Sequence, residues 1–151
     1  MPLLGSLIRS DLIFPDLPAA DRQEVLRALA ERVAARGLVK SADELFRQLL
    51  DREQLGSTGI GGGIAIPHCK LPGLKHGIVA VGIVPAGIDF GAADGQPVKV
   101  FFLVVSPAGA PGEHLQTLAA ISRWVKTGAH TEDLLALHDP QAVYDLLREE
   151  D

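Results

Sequence analysis

The fold class follows from two apolar runs, IVAVGIV at residues 78–84 and VKVFFLVV at residues 98–105. Both are rich in β-branched residues, and turn-forming residues lie between them, including the pair Asp94-Gly95 and Pro97, so each run is typical of a β-strand. Nearly continuous apolar character predicts strands buried on both faces, and such strands need helices above and below the sheet. The sequence therefore predicts an α/β sandwich.

Helices are predicted on both sides of these runs. Two capping patterns, Asp21 with Glu24 and Ser41 with Glu44, introduce apolar residues at helical spacing and predict helices over about 21–36 and about 41–54. Gly37 is expected to end the first of them. Two shorter strands are expected at residues 12–14, on an edge of the sheet, and at residues 64–66.

The C-terminal third is predicted to be helical. A long helix after residues 111–112 and two short helices at the end of the chain are expected. The residues behind this prediction are Leu115, Leu118, Ile121 and Val125 as the inward face, Gly128 as the end, Thr131 as a cap, and Asp139-Pro140 as a helix start that buries Val143, Leu146 and Leu147.

Composition limits the classes of function. The chain has 151 residues with 47% apolar and 22% charged residues, a net charge of −5 and one cysteine, which fits one globular domain, residues 1–151, in a reducing cytoplasm. The sequence has no Lys/Arg cluster of the kind that would suggest nucleic acid or an anionic membrane as a partner. Residues 1–7 lack a basic region followed by a long apolar one, and no apolar run approaches the length of a membrane span, so a cytoplasmic protein is expected.

The densest chemical signal is the run LGSTGIGGGIAIPH at residues 55–68. Five glycines in residues 56–63 predict a shaped loop rather than a regular element. A nucleotide-binding P-loop is excluded because no lysine follows the glycines before His68, and the dinucleotide pattern fails because Ile64 stands where its third glycine belongs. The residues around Ser57 do not match a hydrolase nucleophile turn either.

His68 is the candidate nucleophile. It follows Pro67 at the end of a short predicted strand, so it is held with little freedom, and neutral imidazole is nucleophilic near neutral pH. A transferring phosphoryl group needs hydrogen-bond donors and positive charge around its oxygens. The candidates for phosphoryl binding are the hydroxyls of Ser57 and Thr58, the Gly59 backbone and the guanidinium of Arg52, although Arg52 at a helix end could equally be solvated or paired with Glu53.

His114 is a second candidate, because it begins a predicted helix on an apolar face, where a neutral imidazole beside a phosphoryl group is physically sensible. A buried histidine with a purely structural role remains the alternative. A metal site made by His68, Cys69 and His114 is less favoured, since the paired Cys/His spacing of a zinc module is missing. His76, His130 and His138 are expected at the surface.

The run at residues 55–68 resembles the signature of the fructose/mannitol-type enzyme IIA (EIIA) family of the bacterial phosphotransferase system. Arg52-Glu53, DGQPV at residues 94–98 and EHLQTL at residues 113–118 extend the resemblance over nearly the whole chain, which looks most like the nitrogen-regulatory branch. Cys69 departs from the family's usual glycine. The family fold is a mixed sheet flanked by helices.

The resemblance implies a function. His68 would be the phosphorylated residue, and Arg52 and His114 would line its site and assist transfer. The donor would be the phosphocarrier protein HPr or its nitrogen-branch counterpart NPr, and the recipient an EIIB protein or a regulatory target, with no cofactor. Two alternatives stay open at this point: a regulator without onward transfer, and a small-ligand-binding domain in which His68 only binds its ligand.

Overall fold

The computed structural model describes residues 4–126 and 130–149. The helices are α1 (Leu4–Leu7), α2 (Arg22–Ala35), α3 (Ala42–Gln54), α4 (Pro111–Lys126), α5 (His130–Leu135) and α6 (Pro140–Glu149), with a 3₁₀ turn at Ser10–Leu12. The strands are β1 (Ile13–Phe14), β2 (Gly59–Gly61), β3 (Ile64–Ala65), β4 (His68–Leu71), β5 (Ile78–Ile88) and β6 (Val98–Pro107). None of the described helices is long and apolar enough to cross a membrane.

The six strands form one mixed sheet in the order β1-β5-β6-β3-β2, and β4 also pairs with β6. The long central strands β5 and β6 are antiparallel. β1 runs parallel to β5, and β3 and β4 run parallel to β6, whereas β2 and β3 are antiparallel. The mixed sheet and the predicted edge position of β1 are therefore confirmed.

The core has two layers because β5 and β6 bury both faces. In β6, Phe101 and Leu103 pack with the residues of α2 and α3, while Val100, Phe102 and Val104 pack with α1, α4, α5 and α6. This alternation is the period of two expected of a strand with a helical layer on each side. The predicted α/β sandwich is confirmed.

The two predicted caps at the starts of α2 and α3 are confirmed. The side chain of Asp21 accepts a hydrogen bond from the Glu24 amide at 2.8 Å, and Ser41 accepts one from the Glu44 amide at 3.1 Å. Each bond satisfies one of the amides that a helix start leaves without a partner inside the helix.

Two predictions for the glycine-rich run were wrong. The run contains a strand, β2, which pairs with β3 through an irregular register between Gly59 and Gly61. A Cβ on Gly59 would lie 2.8 Å from the Cβ of Ala92, so the glycine permits a close packing contact there. The sheet also resumes after Pro67, and His68 begins β4 instead of ending a strand.

Two predictions for the C-terminal helices were also wrong. Leu115 does not face inward but is 66% exposed, because the buried face of α4 runs through His114, Thr117 and Ile121, and the next residue along a helix points about 100° away. Thr131 is not a cap, since α5 begins one residue earlier and the Thr131 hydroxyl donates to the Gly62 carbonyl. The predicted helix end at Gly128 lies outside the described residues.

Candidate active site

His68 is fixed by its own strand. It is the first residue of β4, opposite Val104 of β6, and its Nδ1 lies 2.7 Å from the backbone oxygen of Ile66. A carbonyl oxygen only accepts, so Nδ1 carries the proton in the neutral ring and Nε2 carries the lone pair.

Arg52 approaches the other ring nitrogen. It lies in the last turn of α3, where its Nη1 donates to the Gly56 carbonyl at 2.8 Å and its Nε donates to Nε2 of His68 at 3.3 Å. The second contact needs a lone pair on Nε2, which agrees with the proton on Nδ1. Arg52 therefore contacts the nitrogen that is free to react.

The ring of His68 is neutral at neutral pH. Burial is the main cause that lowers the pKa of His68; the Ile66 carbonyl opposes this effect, and the charges of Arg52 and Lys70 add to it. Because the pKa lies below the ordinary value for histidine, the nucleophilic form dominates around neutral pH.

His114 faces His68 from α4. The ring centroids are 5.5 Å apart with an angle of 50° between the planes, and Nδ1 of His114 lies 2.7 Å from the Ser106 hydroxyl. Burial lowers the pKa of His114, and His68 and Lys70 lower it further. The structure thus places two neutral imidazoles beside each other, each engaged through Nδ1.

A cavity of about 610 Å³ opens at this pair of histidines. Its lining residues are Gln48, Asp51, Arg52, Leu55, His68, Cys69, Lys70, His114, Leu115 and Leu118. Leu55 is 84% exposed and Leu115 is 66% exposed, so the cavity has an apolar rim that is open to solvent.

The structure does not bring the three loop candidates into this lining. The Ser57 hydroxyl donates to the Phe90 carbonyl at 2.6 Å and accepts from the Gly59 amide at 3.0 Å. The Thr58 hydroxyl donates to the carboxylate of Glu53. Each hydroxyl proton already has an acceptor, so donation to a phosphoryl oxygen would require an exchange of partners.

Glu53, next to Arg52 in α3, is a buried acidic residue for which the sequence predicts no role. It is 3% exposed, and both of its oxygens accept from Thr58, one of them from the amide at 3.1 Å. Burial raises the pKa of Glu53, while the bonds from Thr58 act in the opposite direction. The available sequence signal was an acidic residue at a helix C-terminus, where the helix dipole disfavours negative charge.

Other candidate groups lie elsewhere or lack the required chemistry. Burial raises the pKa of the Cys69 thiol to about 12, so it is not a thiolate nucleophile at neutral pH. His76 lines a different cavity, and His138 is exposed near Asp16. Within residues 4–126 and 130–149, no group of three or more His, Cys, Asp or Glu side chains is arranged to hold a metal ion.

Residues 6–150 match the protein-family model described as "Phosphoenolpyruvate-dependent sugar phosphotransferase system, EIIA 2". The chain belongs to this EIIA family. It is 37% identical over 147 residues to a nitrogen regulatory protein of Bradyrhizobium diazoefficiens, covering 97% of this chain and 95% of that protein. It is also 35% identical over 146 residues to a fructose-specific EIIA component of Haloferax volcanii, covering 97% and 95% of the two chains.

Solved structures of EIIA proteins share the fold. The nitrogen regulatory protein IIA-Ntr of Neisseria meningitidis superposes with a TM-score of 0.87 at 29% identity, covering 95% of this chain and 97% of that one. The mannitol IIA of Escherichia coli superposes with a TM-score of 0.77 at 22% identity, covering 93% and 98%. The EIIA protein is therefore a phosphotransferase-system component with nitrogen regulatory and sugar-specific relatives.

Proposed function

We propose that this EIIA protein is a cytoplasmic, single-domain phosphoryl carrier that accepts a phosphoryl group on Nε2 of His68 and passes it to another protein. The observation that carries the proposal is that the two ring nitrogens of His68 have different partners. Nδ1 is engaged by the Ile66 carbonyl, whereas Nε2 faces the guanidinium of Arg52 at an open cavity. A carrier needs one reactive nitrogen in a fixed direction, and this arrangement supplies it.

The transfer step balances without a cofactor. The lone pair on Nε2 of His68 attacks the phosphorus of a phosphohistidine on the donor, the donor's P–N bond breaks, and the donor imidazole retains that electron pair. The proton on Nδ1 stays with His68, and its bond to the Ile66 carbonyl stabilises the positive charge that develops on the phosphorylated ring.

Arg52 and His114 are proposed to bind the phosphoryl oxygens. When Nε2 forms its bond to phosphorus, it can no longer accept from Arg52, so the guanidinium becomes available to the oxygens attached to that phosphorus. The Ser106 hydroxyl lies 2.7 Å from Nδ1 of His114, and donation from this hydroxyl would leave the ring proton on Nε2, from where it could be donated to the same group. A role for the segment Ser57, Thr58 and Gly59 in phosphoryl binding stays a prediction.

The cavity rim supports a protein as the donor. Leu55 and Leu115 are exposed and line the same cavity as His68, and large exposed apolar side chains around a site favour protein contacts. Phospho-HPr or its nitrogen-branch counterpart is the proposed donor, and an EIIB protein is the proposed recipient in a sugar-transport role. Nucleic acid and membrane are not proposed as partners.

A second candidate function is regulation by phosphorylation state, without onward transfer. Relatives named as nitrogen regulatory proteins, at 37% and 36% identity, favour it. The two functions separate in one assay, in which the phosphorylated protein is mixed with a fructose-type EIIB. Loss of the phosphate to EIIB supports transport, and its retention supports regulation.

Intact-protein mass spectrometry at mildly alkaline pH tests the main proposal, because phosphohistidine is lost in acid. The protein is incubated with phosphoenolpyruvate, enzyme I and HPr, or with the nitrogen-branch equivalents. One phosphate adduct is expected in the parent and in His76→Ala, a matched histidine variant at the other cavity, and none in His68→Ala. Absence of the adduct from the parent under both conditions would favour the small-ligand-binding alternative.

A further inference from the structure

One backbone hydrogen bond expected next to the β2–β3 pair, two residues before His68, is replaced by other bonds. Strands β2 and β3 are antiparallel with Gly59 opposite Ala65, which places Thr58 opposite Ile66. The Ile66 amide donates to the Thr58 carbonyl at 3.0 Å. In a regular hydrogen-bonded pair, the Thr58 amide would donate back to the Ile66 carbonyl.

That reciprocal bond is replaced by two others. The Thr58 amide donates to Oε2 of Glu53 at 3.1 Å, and the Ile66 carbonyl accepts from Nδ1 of His68 at 2.7 Å. The carboxylate thus takes the donor that strand pairing would direct at Ile66, and the carbonyl is left for the imidazole. The Thr58 hydroxyl bonds the other carboxylate oxygen and holds Glu53 in place.

We propose that Glu53 is a positioning residue for His68, acting by withdrawing the Thr58 amide from the Ile66 carbonyl so that this carbonyl fixes the proton of His68 on Nδ1. The expected effect on the transfer rate rests on the proposed phosphocarrier function, whereas the expected effect on the tautomer of His68 does not. Two consecutive residues at one helix end then control both ring nitrogens, Arg52 by direct contact with Nε2 and Glu53 indirectly at Nδ1.

Burial and charge support a dedicated role for Glu53. A buried carboxylate at a helix C-terminus is unfavourable on two counts, since it loses hydration and meets the negative end of the dipole. An apolar side chain would avoid both costs at this position. The presence of a carboxylate here is explained if the site requires an acceptor for the Thr58 amide.

The test compares three variants that keep side-chain volume. The double variant Glu53→Met/Thr58→Val removes the buried acceptor together with the hydroxyl that faces it, which avoids leaving one of the two unsatisfied. Glu53→Gln keeps an oxygen for the Thr58 amide and an NH₂ for the hydroxyl. Thr58→Val keeps the bond between the amide and the carboxylate. The matched control is Thr131→Val, which removes a hydroxyl bond to the same glycine-rich segment at Gly62.

The first readout is the tautomer of His68, measured by ¹⁵N NMR of the imidazole in the folded proteins without any phosphoryl donor. The double variant is expected to lose the dominant Nδ1–H form, and its transfer rate from the donor is expected to fall about tenfold, the equivalent of one hydrogen bond. Glu53→Gln, the conservative variant, and the control Thr131→Val are expected to keep the parent's tautomer and a rate within about twofold of the parent. Thr58→Val is expected to keep the Nδ1–H form, and its rate measures what loss of the hydroxyl alone contributes to the rate of the double variant. A folded double variant with the parent's tautomer and rate would overturn the proposal.

A measurement on the parent protein keeps the proposal testable if the double variant does not fold. Scalar couplings across hydrogen bonds should connect the Ile66 amide with the Thr58 carbonyl carbon. No such coupling should connect the Thr58 amide with the Ile66 carbonyl carbon, and detection of one would overturn the inference. Failure of the parent to become phosphorylated would instead count against the carrier function, leaving the tautomer result intact.

Discussion

Replacing Arg52 with glutamine separates the resting contact of this residue from its proposed role in transfer. In the structure, Nε of Arg52 lies 3.3 Å from Nε2 of His68, which is longer than a typical N–H hydrogen bond of about 2.9–3.0 Å. The resting bond is therefore weak, and little stability is expected to be lost with it. Glutamine retains most of the side-chain length but removes the charge.

The expected loss of rate in Arg52→Gln follows from the contacts that replace the bond between Arg52 and His68 during transfer. Once Nε2 binds phosphorus, the guanidinium faces phosphoryl oxygens, and a hydrogen bond between charged groups contributes about 1.5–3 kcal/mol. At about 1.4 kcal/mol for each tenfold change in rate, Arg52→Gln should slow phosphorylation of His68 about 10- to 150-fold. Arg52→Lys should recover only part of this loss, because one ammonium does not reproduce the planar fork of the guanidinium.

The assay is a quenched time course of the phosphate adduct with limiting donor, followed by mass spectrometry at alkaline pH. An NMR titration of His68 supplies an independent readout. The charge of Arg52 contributes to lowering the pKa of His68, so the pKa should rise in Arg52→Gln. A rate within about twofold of the parent, together with a raised pKa of His68, would refute the assignment of Arg52 to the phosphoryl group. The raised pKa would show that the charge of Arg52 has been removed from the site, and the unchanged rate would show that transfer does not depend on it.

Three further outcomes are expected. His114→Ala should slow phosphorylation about tenfold, the equivalent of one charge-assisted hydrogen bond, while circular dichroism shows an unchanged fold. Leu115→Asp should raise the KM for the donor protein about tenfold and leave the melting temperature unchanged, since the side chain is 66% exposed; an unaltered KM would remove Leu115 from the docking surface. The Gln96 and Gly62 amides donate to the carboxylate of Asp94 and lower its pKa. The stability that ionised Asp94 contributes is therefore fully present above the ordinary carboxyl pKa, and it is lost as the pH falls through the lowered pKa of the folded protein. Between about pH 6 and about pH 3, the melting temperature of Asp94→Asn should therefore decrease less than that of the parent.

Sequence alone was sufficient where the signal is local. The caps of Asp21 and Ser41 depend on a residue three positions further along, and the two buried strands depend on continuous apolar character, so both could be predicted from short windows. The sheet order could not be predicted in the same way. It depends on which distant segments pair, and apolar strands of similar composition do not specify their neighbours.

The candidate site could be predicted only in part. The placement of His68, Arg52 and His114 around one cavity matches what the family resemblance implied, whereas their roles in transfer stay predictions. The bond between the Thr58 hydroxyl and Glu53 could not be predicted from the sequence. A glycine-rich run predicts a loop, but it does not indicate that a buried carboxylate packs against that loop. The strand β2 was missed for a related reason, since its pairing with β3 is tertiary and overrides the low strand propensity of glycine.

The geometry of the site follows from the edge of the sheet. The register with β6 is the same on either side of Pro67, with Ile64 opposite Val100 and His68 opposite Val104, so the proline removes an amide donor without shifting the strand. β2 pairs with β3 but not with β4, which leaves the side of β4 away from β6 without a strand neighbour among the described residues. Helices on opposite faces can then both reach His68, α3 with Arg52 and α4 with His114. A histidine in the middle of the sheet would be equally rigid but enclosed by strands, and no partner protein could approach its Nε2. Rigidity and access therefore coexist at His68 because the sheet fixes one side of β4 and leaves the other open.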